Sequence, residues 1–358
     1  MPPAQRHPTM ADVAERAGVS VSTVSRTLRG LATVSPEAKR RVEDAARELS
    51  FVISRQASSL VTGKTGSVAV LAPTLNSWFT GSVLAGLGPV LRTAGLDLLV
   101  YSASDLAERA EFFEQLPARR NADALLVVSF DLTAEESARL DGLGVPVVYV
   151  SQRSSGRPSV YVDDVAGARA GVRHLVNLGH RRIAFLRSRR GAAGFTFSSR
   201  RRIDGYREAL REAGVEPSDE LVVDVSAPGR RGTEEAIGTL LGLREPPTAV
   251  FAEVDQIAIE AIGVLRSAHI PVPDRISVLG FDDHDMAQWM ELTTVAQPAV
   301  ELGRVAGELA RALIDDPNAD PTAHRELPTS LIPRGSTGPV GSVGAGESVG
   351  SVEPGSEG

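Results

Sequence analysis

The stretch from Thr9 to Leu28 constrains this chain more than any other, because it predicts two short amphipathic helices joined by a tight turn. Thr9 and Asp12 have the spacing of a capping box for the first helix. Gly18 permits the turn, and Ser20 can cap the second helix. Helix pairs of this kind commonly place their second helix in the major groove of DNA. The alternative is an ordinary helical hairpin whose outer face is only solvated.

The segments that follow favour DNA binding. Ser35 and Pro36 predict the start of a third helix, so three helices can enclose a small core. Residues 55–64 read RQASSLVTGK, a short helical stretch that ends in Gly-Lys. The order of these parts, with DVAERAGVSVSTVSR at the start and RQASSLVTGKTGSVAVLAP at the join, resembles the LacI/GalR family of bacterial transcriptional regulators. The resemblance continues through most of the chain.

Charge is divided unevenly along the chain. Residues 1–64 contain ten Lys and Arg and six Asp and Glu, a net charge of +4, whereas the whole chain carries −7. The remainder therefore carries −11. This split suits a basic module on DNA phosphates followed by an acidic body.

Composition also bounds the compartment and the chemistry. No run approaches the roughly 20 apolar residues of a spanning helix, and the N-terminus lacks an apolar signal core. We therefore expect a cytoplasmic protein with no membrane partner. The sequence contains no cysteine, which excludes disulfides and thiolate metal sites. We expect neither a metal nor a cofactor.

Beyond residue 65, apolar strands alternate with amphipathic helices, as in parallel sheets that are covered by helices on both faces. Two such series, with a change of pattern around residues 154–161, predict two lobes with a cleft between them. The predicted helices cover residues 80–94, 106–118, 134–142, 165–178, 199–213, 231–242 and 255–267. The predicted strands are Val68–Ala72, Asp97–Tyr101, Ala124–Val128, Val145–Val150, Arg182–Leu186, Leu221–Val225, Ala249–Ala252 and Ser277–Gly280.

The predicted fold class is an N-terminal all-α helix-turn-helix head followed by a two-lobed α/β body with doubly wound parallel sheets. The resemblance implies that the body is like periplasmic binding proteins. It also implies three crossings between the lobes, the first near residues 154–162 and the others near 292–298 and 327. The expected parts are a DNA-binding domain at 1–53, a hinge helix or linker at 54–65, an effector-binding and dimerisation domain at 66–334, and a disordered tail at 335–358. The tail has few bulky residues and is rich in Gly, Ser and Val.

The resemblance also implies which residues contact DNA. They are Val21, Ser22 and Arg26 for base edges, Thr9, Ser20, Thr23 and Ser25 for phosphates, and Arg55 and Lys64 in the linker. An arginine can grip guanine O6 and N7 with two hydrogen bonds, so Arg26 is the strongest base-reading candidate.

Leu60 matches the hinge leucine that family members wedge between base pairs in the minor groove. The alternative is that Leu60 only packs a linker helix. The family usually has Pro and Asn where this chain has Ile53 and Ser54, so the hinge lacks a fixed φ and its customary cap. We therefore consider a hinge that folds only on DNA.

Ligands of open parallel sheets bind beyond the carboxyl ends of the strands, which makes the residues after each strand candidates for an effector site. Arg202 and Asp282 match family residues that bind effector hydroxyls or carboxylates, and they are the strongest candidates. Trp78 and Phe79 resemble the aromatic lining of the family pocket, or both belong to the core of the following helix. Ser151 stands where many members have Asp, and Val254 where Asn is usual. The effector-site candidates are Asn76, Trp78, Phe79, Ser151, Arg202, Val254 and Asp282.

These features together predict a homodimeric transcription factor that binds a pseudo-palindromic operator, and they favour a repressor. A sugar or related metabolite in the cleft would modulate its operator affinity, and the dimers could pair into tetramers. The competing classes are a solute-binding protein and an α/β enzyme that uses the same cleft. The first needs an export signal and no DNA head, and the second needs a catalytic constellation that no segment supplies. We therefore expect no enzymatic activity and no catalytic residue.

Overall fold

The computed structural model describes residues 8–28, 34–51, 63–188, 197–226, 229–316 and 318–341. The chain divides into two compact units, Met1–Gly66 and Ser67–Gly358. We call them the head and the body. The predicted hinge at 54–65, with Arg55 and Leu60, lies mostly outside the described residues.

Three helices form the described part of the head: α1 (Met10–Ala17), α2 (Val21–Leu28) and α3 (Pro36–Glu48). The predicted local signals determine where they begin. Thr9 and Asp12 form a complete capping box at α1, and Ser35 caps α3 through the amide of Ala38. Gly18 ends α1 with a φ of 64°, which a residue with a side chain rarely adopts. The buried core of the head consists of Val13, Ala14, Ala17, Val24, Val42 and Ala45.

The body contains two six-stranded sheets, and each belongs to one lobe. All neighbouring strands of the first sheet are parallel, and the second sheet has one antiparallel edge strand. The first sheet has the order β11-β5-β4-β3-β1-β2, with β1 (Ser67–Ala72), β2 (Asp97–Ser102), β3 (Ala124–Val128), β4 (Val147–Val150), β5 (Ser159–Val162) and β11 (His324–Leu327). The second has the order β12-β10-β9-β8-β6-β7, with β6 (Ile183–Ser188), β7 (Val222–Val225), β8 (Ala249–Ala252), β9 (Ser277–Asp282), β10 (Thr293–Ala296) and β12 (Ser330–Ile332).

Helices cover both faces of each sheet, since alternate residues of the central strands join different apolar clusters. A 3₁₀ turn, Asp219–Leu221, precedes β7. The helices of lobe 1 are α4 (Trp78–Thr93), α5 (Leu106–Gln115), α6 (Ala118–Asn121), α7 (Ala134–Asp141) and α12 (Ala299–Asp315). Those of lobe 2 are α8 (Asp164–Asn177), α9 (Phe197–Glu212), α10 (Arg230–Leu241) and α11 (Asp255–Ser267).

The chain passes between the lobes at three places. It leaves lobe 1 between β5 and α8, returns between β10 and α12, and leaves again between β11 and β12. The carboxyl ends of both sheets supply the loops that contact one another, as the site geometry below shows. The three connections lie at one edge of each sheet, where β5, β10, β11 and β12 are found.

The eight predicted strands are present, with ends that differ by at most two residues, but the sequence analysis missed β5, β10, β11, β12, α6 and α12. Three of the missed strands have four residues and β12 has three, so their patterns are short. Both outer strands, β11 and β12, also expose part of their surface and therefore lack a continuous apolar run.

The start of the predicted tail needs correction. Residues 335–341 are described and pack against lobe 2. Ser336 is buried, its hydroxyl donates to the carbonyl of Val278 at 2.6 Å and accepts from the amide of Thr293 at 2.8 Å. The carbonyl of Gly338 lies 3.0 Å from Nε2 of buried His180. Ser336 thus forms hydrogen bonds with backbone groups of two neighbouring strands, a role that the composition of the tail does not indicate.

Candidate functional site

The outer face of α2 is the exposed polar surface of the head. Val24 turns inward and is fully buried, whereas Val21 is 48% exposed. The hydroxyl of Ser20 accepts from the amide of Thr23 at 3.1 Å, so it caps the helix as predicted. It also lies 2.8 Å from the hydroxyl of Ser22. The start of α2 therefore presents small hydroxyl groups and an exposed valine to its surroundings.

Arg26 lies on the same exposed face. No ion pair or hydrogen bond occupies its guanidinium among the residues that the structure describes, in contrast to Arg16, which pairs with Glu48 at 2.5 Å. Its planar fork of donors is thus available to an external partner. Such a fork matches the two acceptors of guanine in the major groove.

The other predicted DNA contacts are distributed around this surface. Thr9 is exposed at the start of α1, but its own amide already donates to Asp12 at 2.6 Å. Thr23 and Ser25 are half-buried on α2, and Lys64 is exposed at the end of the head. Arg55 and Leu60 lie outside the described residues.

In the body, strand ends with an unusual backbone mark the cleft. Ser129 after β3 and Ser151 after β4 have positive φ angles of 53° and 60°, and Asp282 at the end of β9 has a φ of 133°. Such angles cost residues with side chains free energy and are concentrated at functional sites. They indicate that the cleft edge of the sheets is built for the placement of these three side chains.

Side chains from the two lobes meet across this cleft. The hydroxyl of Ser198 on α9 lies 3.2 Å from that of Ser151 and 3.4 Å from that of Ser129. The guanidinium of Arg200 pairs with Asp131 at 2.8 Å. The lobes are therefore in contact beyond their strand ends, as in a closed cleft.

An aromatic contact also spans the cleft. The ring of Trp78, at the start of α4 in lobe 1, lies 5.4 Å from the ring of His284 in lobe 2. Burial lowers the pKa of His284, which favours the neutral ring beside the indole.

Arg202 lies at the centre of the buried polar cluster of lobe 2. It is 3% exposed, and its Nε donates to Asp164 at 2.8 Å. One Nη donates to the carbonyl of Glu253 at 2.6 Å and lies 3.5 Å from the carboxylate of Asp282. Its charged carbon lies 3.6 Å from the ring centroid of Phe281, a cation–π contact. Protein groups thus hold this guanidinium rigidly.

Burial disfavours the charge of Arg202, but the pKa of its guanidinium is still raised because Asp164 and Asp282 stabilise the cation. The acids respond in the same environment. Burial, with repulsion from Asp255, raises the pKa of Asp282 to about 7. Burial also raises the pKa of Asp255 to about 6 and the pKa of Asp164, although Arg202 opposes both shifts. The cluster therefore contains more carboxyl groups than the one positive charge of Arg202 can neutralise.

Two further acids of this cluster are held by their neighbours. Asp255 is fully buried and accepts from the hydroxyl of Thr294 at 2.6 Å and from the amide of His284 at 2.8 Å. Glu253 is 3% exposed and accepts from the amide and hydroxyl of Ser188 and from the hydroxyl of Ser199. Each carboxylate oxygen thus has a fixed orientation.

The predicted effector residues occupy different environments. Ser151, Arg202 and Asp282 are buried at the cleft, whereas Asn76 is exposed. Phe79 packs against the apolar core of lobe 1, in agreement with the alternative that it is a core residue. Val254 is half-buried and packs against the core of lobe 2. The structure brings Arg202 and Asp282 into direct contact, and Trp78 lies at the cleft beside His284.

A cavity of about 450 Å³ adjoins the buried cluster. Its walls come from both lobes, and they include Asp164, whose carboxylate accepts from Nε of Arg202. The other lining residues include Tyr161, Phe197 and His324. Its volume lies within the range of small-molecule sites.

Sequence reasoning missed several residues of this cleft. Ser129 and Glu253 directly follow predicted strands, so the rule that ligands bind beyond strand ends would have found them. Asp164 follows β5, which the sequence analysis missed. Ser198 and Arg200 lie on α9 close to Arg202, but only the packing of the lobes shows their contacts. Gln297 follows β10, which was itself missed.

Within the described part of the chain, no group of three or more His, Asp or Glu side chains could hold a metal ion. No described helix combines the length and the apolar character needed to cross a bilayer.

Comparison with known proteins agrees with this two-part organisation. Residues 9–54 match the model of the lacI family of bacterial regulatory proteins, and residues 172–337 match a periplasmic binding protein-like domain. The first match covers the three helices of the head, and the second covers most of lobe 2 and the strands that return to lobe 1.

Relatives extend over nearly the whole chain. The HTH-type transcriptional regulator DegA of Bacillus subtilis is 31% identical over 93% of this chain and 98% of its own length. The regulator CelR of Thermobifida fusca is 33% identical over 87% of this chain and 92% of its own length. Among solved structures, the lac repressor dimer bound to operator and the anti-inducer ONPF has a TM-score of 0.80 and 25% identity, covering 93% of this chain and all of that one. A CelR–cellobiose complex has a TM-score of 0.67 and 29% identity over 92% of this chain and 99% of that one. This chain belongs to the LacI family of bacterial transcriptional regulators.

Proposed function

We propose that this protein is a homodimeric, cytoplasmic repressor whose head binds a pseudo-palindromic operator and whose body binds a small effector in the cleft between its lobes. The observation that carries the proposal is the exposed outer face of α2, where no residue that the structure describes pairs with the guanidinium of Arg26. An exposed arginine without an acid partner keeps its donors available for guanine.

The head supplies recognition by a helix in the major groove. Val21 and Ser22 open α2, and Arg26 follows after slightly more than one turn, so all three can face the same base edges. Val21 can contact a thymine methyl group, and Ser22 can donate to or accept from a base. A head with one such helix reads only a few base pairs, which favours two heads on two half-sites.

The solved lac repressor dimer on its operator supports the assembly of two copies, because its chain aligns with this one over its full length. Two heads in a two-fold dimer would require half-sites about one helical turn apart. Dimers could pair further into tetramers.

The body supplies regulation by closure of its lobes. The contacts of Ser198 with Ser151 and of Arg200 with Asp131 form only when the lobes approach. A ligand that binds both lobes would favour or oppose this approach, and the change in closure would alter operator affinity. Operator and effector then change each other's affinity by the same factor. CelR has been solved with cellobiose, which supports a small-molecule ligand for the corresponding cleft.

An enzyme is the second candidate function, and the cleft offers it little support. The described acids of the cleft are held by Arg202, serines and backbone amides, and His284 uses Nδ1 to accept from the amide of Met286. No described serine of the cleft has a histidine within hydrogen-bond distance, as a nucleophile requires. We therefore propose binding without turnover.

Selection of duplexes from a random library by the full-length protein tests this function. We expect enrichment of a two-fold symmetric site, with binding that weakens steeply as salt rises because phosphates are contacted. The proposal would be contradicted if the selected duplexes shared no sequence, or if the protein preferred sites with a single half-site at every protein concentration. A metabolite screen at the selected site then tests whether a ligand of the body changes operator affinity.

A further inference from the structure

Four carboxylates from four different elements form the buried cluster around Arg202 in the cleft, and two of them, those of Asp164 and Asp282, reach its guanidinium. Asp164 begins α8, Glu253 follows β8, Asp255 begins α11 and Asp282 ends β9, and each is at most 5% exposed. Arg202 pairs with Asp164 and Asp282 and is the one buried cation that the described residues bring into this cluster, while the neighbouring Arg201, which also acts on Asp164, is exposed to solvent. Buried charge is costly unless it is paired. The cluster thus has an excess of negative charge that a bound cation would offset.

The buried polar atoms that lack partners indicate the same kind of ligand. In the described part of the body, they are Oε1 of Gln152, Oε1 of Gln297 and Nδ1 of His324. The amide oxygens can only accept a hydrogen bond, and the imidazole nitrogen accepts in one tautomer. Nε2 of Gln297 donates to Asp282 at 2.6 Å, so the free oxygen of the same amide lies beside the carboxylate cluster. Because unpaired buried acceptors are costly, a ligand with several donors would stabilise the site.

The cavity beside Asp164 provides space for such a ligand. Its volume of about 450 Å³ accommodates a small metabolite, and His324 with its unpartnered nitrogen lines it. Tyr161 and Phe197 add aromatic faces, which attract cations. The lining has three carboxylates and two arginines; both arginines, Asp163 and Glu326 are exposed to solvent, and Asp164 is the buried charge among them. Asp164 therefore joins this space to the buried carboxylate cluster, and His324 supplies one unpartnered acceptor at its wall.

We infer that the effector of this cleft carries a positive charge, as a protonated amine on a small donor-rich molecule such as an amino sugar or a diamine. The inference rests on the proposed function, since it assigns the chemical class of the ligand in the same cleft. A neutral polyol could satisfy the free acceptors of Gln152 and Gln297 but would leave the carboxylates uncompensated. An anion would add to their repulsion. Affinity should therefore fall in the order cation, neutral molecule, anion.

Matched pairs of probes test this order with the full-length protein. D-glucosamine is compared with D-glucose, and putrescine with 1,4-butanediol, by calorimetric titration and by the thermal midpoint at up to 100 mM probe. Binding to the folded state raises the midpoint in proportion to the logarithm of ligand over Kd. We expect the cationic member of at least one pair to bind tenfold or more tightly than its neutral partner.

Glu253→Gln tests whether the buried carboxylates cause the preference. Glutamine has the same shape and keeps an oxygen for the amide of Ser188, while the hydroxyl of Ser199 can turn to accept from the new amide. We expect the ratio of cation to neutral affinity to fall at least fivefold. Asp164→Asn removes a second charge and provides the same readout if Glu253→Gln fails to fold. Glu208→Gln, the same change at an exposed position of α9, should leave the ratio unchanged.

The outcomes separate this inference from the function on which it rests. Equal affinity within both pairs, preference for the neutral members, or no binding of either pair overturns the cationic effector. An unchanged ratio in both Glu253→Gln and Asp164→Asn also overturns it. A neutral sugar that alters binding to the selected operator would leave the repressor intact and refute only the ligand class. Loss of sequence-selective DNA binding in the wild type would instead refute the repressor.

Discussion

The head and the body place their charged groups in opposite ways. The head exposes Arg26 on a helix whose other face packs on a small apolar core, so its functional groups contribute little to folding. The body buries Arg202 and its acids among hydrogen bonds, so the groups of its cleft also hold lobe 2 together. The polar groups of a surface that contacts a large partner can be hydrated by water until the partner binds. The buried polar groups of a small-molecule site need protein partners both with and without the ligand.

This contrast is sharpest for the two arginines. Arg202→Ala should lower the free energy of unfolding of the body by about 3–5 kcal/mol, because it leaves Asp164 and Asp282 buried without a cation. Chemical denaturation of the full-length protein measures the loss. Arg211→Ala, at an exposed position of the same helix, should change the value by less than about 0.5 kcal/mol. Similar losses for both variants would show that burial does not distinguish them.

Arg26→Ala should have the reverse profile. We expect no change in stability but a loss of about 1–3 kcal/mol in discrimination at one base pair of each half-site. Lys64→Ala should weaken specific and random duplexes alike and reduce the salt dependence of binding by about one unit of slope. Competition between the selected duplex and random duplexes distinguishes the two effects. Equal losses on both duplexes for both variants would contradict the division into base and phosphate contacts.

The acids of the body predict a pH dependence that the head lacks. Burial raises the pKa of Asp282 from 3.8 to about 7 and that of Asp255 from 3.8 to about 6. Between about pH 4 and 7 the folded state therefore binds more protons than the unfolded chain, so these groups make stability fall as pH rises through this window. We expect these acids, Asp282 above all, to raise the thermal midpoint at pH 6.5 relative to pH 8.

Asp282→Asn isolates this effect, because the amide oxygen can still accept from Gln297 while the titrating carboxyl is gone. The variant should lose most of the difference between pH 6.5 and pH 8. Burial also lowers the pKa of His174, His180 and His284, so these groups act in the opposite sense. Because an unfolded histidine titrates near pH 6.5, they still contribute at the lower end of this range, and the comparison of wild type with variant is what isolates Asp282. An equal difference in wild type and variant would assign the dependence to other groups.

The two regions also differ in how much their sequences predicted. The helix starts of the head follow from neighbours in sequence, since Thr9 contacts Asp12 and Ser35 contacts Ala38 within three residues. The alternation of strands and helices in the body could likewise be predicted from patterns of neighbouring residues. Arg202 and Asp282 were found only through family resemblance.

Other features depend on partners that are remote in sequence. The hydroxyl of Ser198 meets Ser151 across 47 positions, and β11 pairs with β5 although some 160 residues separate them. A four-residue edge strand with exposed side chains has no apolar pattern to mark it. The position of Glu253 after a strand is visible in the sequence, but its hydrogen bonds to serines of two other elements are not. Such residues require the fold before their roles can be recognised.

The smallest expected effect tests whether the head is stabilised locally, as its short-range contacts indicate. Thr9→Ala removes the hydroxyl that accepts from the amide of Asp12, while the amide of residue 9 can still donate to the Asp12 carboxylate. The loss of this half of the capping box should cost the head about 1 kcal/mol and leave the thermal midpoint of the body unchanged. Thr9→Ser keeps the hydroxyl and should restore the wild-type value. Amide hydrogen exchange resolves the two units in one sample. Faster exchange confined to α1, α2 and α3 is expected, because these helices share one small core. Faster exchange in the sheets of the body as well would mean that the two units unfold together. The head and the body would then differ in where they place their functional groups but not in their stability.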